Sequence, residues 1–129
     1  MRRSGWMLFV LAGLAAGCKD EVKNYTPSES NARAALETAL TQWRDGQAKP
    51  AEFPLGKVKV QVHDQNWEAG QKLQGFEIVG DEVAATGGPR VFTVKLKTPK
   101  GEQTTKYYVV GIDPLYIYSE SVYMKQAGG

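Results

Sequence analysis

One cysteine, one histidine and a crowd of tyrosines are the side chains with distinctive chemistry to offer in these 129 residues. The histidine, His63, is followed directly by Asp64 and, four positions on, by Trp67. An imidazole beside a carboxylate is ordinary equipment for moving a proton, provided that both groups reach the same cavity. Whether they do depends on the element that carries them. Val58, Val60 and Val62 alternate with Lys57, Lys59, Gln61 and His63, which is the period of a half-buried strand, and neighbours on a strand point to opposite faces. His63 therefore falls on the solvent side. His63, Asp64 and Trp67 would line one pocket only where the strand has already ended, and no catalytic constellation is predicted here.

Other chemistries are poorer still. A metal centre draws on several convergent donors. With a single His and a single Cys, only carboxylates are left, and Asp81-Glu82 beside Gly80 reads as a turn. Gly87-Gly88-Pro89 lacks the Lys and Ser/Thr that follow a phosphate-cradling loop, and its proline marks another turn. No Ser or Cys nucleophile can be assembled with a base. No metal and no cofactor are expected.

The tyrosines carry more information. Tyr107, Tyr108, Tyr116, Tyr118 and Tyr123 all fall in the last quarter of the chain, and alternation along strands must turn some of them away from the core. Tyr combines an apolar ring with a polar tip and suits contact surfaces. Tyr108, Tyr116 and Tyr118 are the candidates for a face that meets a protein partner or a second copy of the chain; the plainer expectation is that half of the tyrosines finish the core and the rest flank it.

The elements that must position these residues follow from spacing. Thr26-Pro27-Ser28-Glu29 has the form of a capping box, with Thr26 as the cap and Pro27 at the first helical position. Ala32, Ala35, Leu36, Ala39, Leu40 and Trp43 then mark one helical face, and Gly46 is a natural stop. A helix over about residues 27–45 is predicted. The proline-containing stretch 47–56 reads as a loop. Strands are expected at 58–63, 73–79, 91–97, 104–110 and 115–119, with 82–85 left open between strand and loop, turns at 87–89 and 98–101 and a loose tail from Ala127. One long N-terminal helix followed by a meander is an α+β pattern, with the helix packed on a curved antiparallel sheet of four to five strands. This order resembles the cystatin-like and nuclear transport factor 2-like group of folds, a cone that hosts many unrelated activities.

The cysteine stands at the other end of the chain, in Leu14-Ala15-Ala16-Gly17-Cys18-Lys19-Asp20. Upstream lie Arg2 and Arg3 and then an uncharged, mainly apolar run from Trp6 to Ala16, the layout of a secretory signal. That run is shorter than the roughly 20 residues a membrane-crossing helix needs. The stretch resembles the bacterial lipoprotein signal with its lipobox, although Ala15 stands where the family most often has Leu. The resemblance implies a signal peptide over residues 1–17, a diacylglyceryl group on the Cys18 thiol, cleavage before Cys18 and acylation, for example with palmitate, of the new amine. Ordinary signal peptidase could also cut after Gly17 and leave a soluble protein with a free thiol. On the lipoprotein reading, residues 18–25 are a lipidated tether and 26–129 a single α+β domain.

The 16 Lys and Arg include Arg2 and Arg3, so against 14 Asp and Glu the chain after the signal is formally neutral. No basic stripe is present, which argues against nucleic acid as a partner. The expected attachment is to a membrane through lipid, in the cell envelope or periplasm. Because Lys19 rather than Asp follows Cys18, the family resemblance favours the outer membrane where a cell has two. The expected function is a small non-catalytic binding or structural domain; the alternative is a cone-fold pocket protein that binds or transforms a small apolar molecule. A filled interior would favour the first and a deep cavity with convergent polar groups the second.

Overall fold

The computed structural model describes residues 26–84 and 86–128; the stretch read as a signal peptide (1–17), Cys18, the expected tether, Ala85 and Gly129 lie outside the described residues. Helix α1 (Glu29–Arg44) is capped by Ser28, whose backbone is extended at φ −65° and ψ 154° and whose hydroxyl accepts the Asn31 amide at 3.1 Å. The cap expected at Thr26 is therefore displaced by two residues. Thr26 is engaged elsewhere: its hydroxyl donates to the Gly88 carbonyl at 2.5 Å, tying the helix start to a distant turn. Glu29, expected to close a capping box, instead pairs with Arg33 one turn along at 2.6 Å.

Ala32, Ala35, Leu36, Ala39, Leu40 and Trp43 are all buried on one face of α1. Glu37 and Arg44 are exposed, while the Arg33 guanidinium sits 5.6 Å from the Phe92 ring centroid. Leu36→Ala or Leu40→Ala should cost about 2 to 5 kcal/mol, the range for emptying a packed core position. Arg33→Ala loses a largely solvated ion pair and should cost less than about 1 kcal/mol. Urea midpoints that coincide for the Leu and Arg variants would contradict this packing.

Six strands follow: β1 (Phe53–Leu55), β2 (Val58–His63), β3 (Gly75–Val83), β4 (Arg90–Thr98), β5 (Gly101–Val110) and β6 (Leu115–Ser119). They form one sheet in the order β1-β2-β6-β5-β4-β3. The sheet is mixed rather than antiparallel, because β2 and β6 run parallel, with Val60 opposite Leu115 and Val62 opposite Ile117. It also has more strands than the four to five expected. The additional strand, β1, arises in the stretch read as a loop; its Pro54 has no amide to donate, and an edge strand tolerates that. The stretches 73–79 and 82–85, read apart in the sequence, are largely one strand. β3 stays in register with β4 up to Ile78 opposite Val94, slips at Val79, and resumes with Gly80 opposite Thr93. Such a bulge interrupts the alternation that a sequence displays.

The inner sheet face packs on α1 through Phe92, Val94, Leu96, Val109, Leu115 and Ile117, each at most 1% exposed. Two further short helices lie among the described residues, α2 (Gln65–Glu68) after β2 and α3 (Glu120–Gly128) after β6. The tail expected to be loose from Ala127 thus continues a helix through Gly128. No helix among the described residues is long and apolar enough to cross a membrane.

Two polar clasps hold α1, one to the sheet and one to α2. At its start, Arg90 of β4 donates from Nε to the Pro27 carbonyl at 3.1 Å and from a terminal nitrogen to Asp81 of β3 at 3.1 Å. At its other end, Trp43 and Trp67 stack with ring centroids 5.4 Å apart. Trp43 Nε1 donates to the Gln71 carbonyl at 2.7 Å, and Trp67 Nε1 donates to the Gln47 carbonyl at 2.8 Å. Each indole thereby satisfies a carbonyl in the loop that follows the other's helix.

Candidate functional site

Asp64 is the joint between β2 and α2. Its backbone is still extended, and its side chain caps the short helix: Oδ1 accepts the amides of Asn66 at 3.1 Å and Trp67 at 3.3 Å. The other oxygen, Oδ2, accepts the Tyr107 hydroxyl at 2.5 Å. Asp64 is 1% exposed and Tyr107 2% exposed. Burial raises the Asp64 carboxyl above its ordinary value, because a charge taken from water is disfavoured, while the hydrogen bonds from Tyr107, Trp67 and Asn66 oppose the rise. Tyr107 is pushed far above the ordinary phenol range by the same burial and by the neighbouring carboxylate. The phenol therefore keeps its proton and acts as the donor of the pair.

What surrounds the pair follows from unequal strand lengths. Tyr107 stands opposite Ser119, where β6 ends, but β5 reaches back to Gly101. The first part of β5 has β4 on one side and no β6 residue on the other. An open groove of about 530 Å³ lies there, bounded by β5, the start of α2 and the start of α3. Ser119 accepts the Gln65 amide through Oγ at 3.4 Å, and Thr105 donates its hydroxyl to Glu120 at 3.4 Å. A molecule in the groove would meet these hydroxyls, the Glu120 carboxylate and Gln65, with Met124 as an apolar contact. Asp64 forms part of the wall but has both oxygens already engaged.

His63, Asp64 and Trp67 are not brought together as one pocket. His63 lies on the outer sheet face, half-buried, with its ring stacked 5.4 Å from that of Tyr118. Asp64 points into the groove wall, and Trp67 is buried against Trp43. The pairing of Asp64 with Tyr107 was beyond sequence reasoning, since 43 residues separate the two. One part was readable: an Asp three residues before a buried Trp, at the end of a strand, is a helix cap.

The outer face carries the aromatic row. His63, Tyr118 and Tyr108 stand in register across β2, β6 and β5. Tyr116 lies 6.1 Å from Tyr118, and Tyr123 of α3 stacks on Tyr108 at 4.0 Å, with the rings 3° from parallel. Of the three candidate contact residues, Tyr108 is thus buried under α3, whereas Tyr116 and Tyr118 are half-buried. Burial raises both Tyr108 and Tyr118 above the ordinary phenol value, with nearby Glu120 adding to the effect at Tyr108 and Tyr116 adding to it at Tyr118.

Among the described residues, no three His, Cys, Asp or Glu side chains converge in a way that would hold a metal ion. The chain matches no known protein-family model, no curated protein and no solved structure.

Proposed function

We propose that this is a lipid-anchored protein of the bacterial cell envelope, held by acyl chains on Cys18, whose domain binds a protein partner or a second copy of itself without catalysing a reaction. The outer membrane is the favoured location where two membranes exist, by the residue after Cys18. The observation that carries the binding reading is the outer-face row of Tyr116, Tyr118 and His63. These are large amphipathic rings, held in register by the sheet and only partly covered. The apolar core occupies the middle of the α1–sheet interface, and the recess of about 300 Å³ at its edge, between Asn31 and Ala34 of α1 and Leu55, Val58 and Leu115 of the sheet, is open to solvent, which supports a binding surface over an enclosed cavity. The helix laid across one sheet face supports a likeness to the cystatin-like and nuclear transport factor 2-like group, from whose expected antiparallel meander the parallel β2–β6 pair departs.

Expression in a bacterium fed labelled palmitate should label the wild type and leave Cys18→Ala unlabelled. A photo-cross-linking residue at Tyr118 in the same cells should capture a second polypeptide. Equal label in both proteins sinks the anchor, and a Tyr118 probe that reacts only with water sinks the binding face.

The groove beside Asp64 motivates a second reading, a small-molecule site. Its lining of Gln65, Thr105, Ser119 and Glu120 suits a polar ligand better than the small apolar molecule the cone resemblance suggests.

A further inference from the structure

We infer that the domain stands on the lipid bilayer on one particular end, the end formed by the β3–β4 and β5–β6 turns, with Ile112 as its apolar contact. The inference rests on the Cys18 anchor proposed above. Its first support is a length comparison. Seven residues, 19–25, lie between the anchored Cys18 and Thr26, so eight backbone steps join the anchor to the described domain. Whatever their conformation, they span at most about 28 Å. Thr26 is bound to Gly88 in the β3–β4 turn, so the tether leaves the domain at that end. The far end of the sheet lies a full strand away, and β5 with its 10 residues is about 33 Å long. The tether is too short for the domain to stand inverted, with α2 and the Thr98–Gly101 turn on the membrane and Thr26 a full strand length above it.

The second support is what the near end displays. Val109 and Arg90 are paired across β5 and β4, so the β5–β6 turn lies beside the turn that holds Thr26. Ile112, at its tip, is 52% exposed, and Val83 at the end of β3 is 43% exposed. These are two of the four large exposed hydrophobic residues in the described domain. The turn is built to hold Ile112 outward. Gly111 has φ 93°, and a Cβ there would lie 2.7 Å from the Pro114 carbonyl oxygen, so the chain doubles back tightly beneath the tip. Lys57, exposed in the β1–β2 turn at the same end, can reach anionic headgroups, while Asp113 opposes close approach beside Ile112. The contact is therefore a shallow one. The groove beside Asp64 and the start of α3 then face away from the bilayer, where soluble molecules arrive.

The test uses the lipidated full chain in vesicles of phosphatidylethanolamine and phosphatidylglycerol doped with nitroxide-labelled phospholipid. Lipid on Cys18 leaves an introduced cysteine as the one free thiol. An environment-sensitive fluorophore is attached in Ile112→Cys or, at the opposite end, in Lys100→Cys. Both positions are exposed, and equal urea midpoints confirm that both proteins fold. The label at 112 should lose several-fold more emission than the label at 100. Equal quenching, stronger quenching at 100, or no quenching at either site while the protein floats with the vesicles would overturn the orientation and leave the anchor standing. Flotation of Cys18→Ala as efficient as that of the wild type would instead remove the anchor on which the inference depends.

Discussion

Trp67→Ala is expected to lower stability by about 3 to 5 kcal/mol, the range for truncating a large buried aromatic. The side chain is 1% exposed and belongs to the core cluster that joins α1 to the sheet. It also holds two loops at once. Its ring stacks on Trp43, and its Nε1 donates to Gln47 just beyond α1, while Trp43 donates in return to Gln71 beyond α2. Trp67→Phe separates the two contributions. It keeps most of the apolar area and leaves the Gln47 carbonyl without its donor, which should cost about 1 kcal/mol beyond the lost volume. Because the hydrogen bonds are reciprocal, the Phe substitutions at 43 and 67 should be non-additive in a double-mutant cycle. Urea midpoints for Trp67→Ala within about 0.5 kcal/mol of the wild type would show that the clasp does not support the fold.

The contrast between the clasp and the elements it joins shows what the sequence displays. The valines of β2 and the stripe from Ala32 to Trp43 are legible because burial imposes a period on a contiguous run. Phe92, Val94 and Leu96 are legible for the same reason. Partners are not. The alternation in Leu115-Tyr116-Ile117-Tyr118 says that a strand is present, but nothing in it says that the strand will lie parallel to β2, whose residues come more than 50 positions earlier. Local signals also lose to tertiary ones. Thr26 has every attribute of a cap, yet its hydroxyl is bound to Gly88 62 residues away, and Ser28 caps instead. In β3 the bulge at Val79 breaks the period, so the end of the strand is not legible in the sequence.

The candidate site divides along the same line. That His63 and Asp64 lie on opposite faces follows from alternation, and the two are on opposite faces in the structure. That Asp64 would find a phenol is a consequence of the sheet order, which sets β6 between β2 and β5 and brings Tyr107 and Ser119 level with the end of β2. The aromatic row has a mixed origin. Tyr116 and Tyr118 share a face by local spacing, but Tyr108 is covered because a helix absent from the sequence reading carries Tyr123 over it. A weak apolar period in that last segment, ending in Ala-Gly-Gly, gives little sign of a helix.

Asp64→Ala should cost about 2 to 4 kcal/mol, since it removes a helix cap and leaves the Tyr107 hydroxyl buried without an acceptor. Asp64→Asn is the more telling variant. Its amide oxygen can still accept from Asn66 and Trp67, but it carries no charge to titrate. In the wild type, burial raises the carboxyl above its ordinary value of 3.8, so the folded state binds this proton more tightly than the unfolded chain does. The stabilisation that follows is fully present below the unfolded value and is lost as pH rises through the folded one. From the ordinary value of 3.8 upward, the stability of the wild type relative to Asp64→Asn should therefore fall as pH rises and level off once the folded carboxyl has ionised. Urea titrations of both proteins across that range measure the difference directly and cancel the other titrating groups. A difference that runs the other way would mean that the three hydrogen bonds from Tyr107, Trp67 and Asn66 outweigh burial. Asp64 would then be an ionised, purely structural cap, and a small-molecule reading of the groove would lose the one buried acid in its wall.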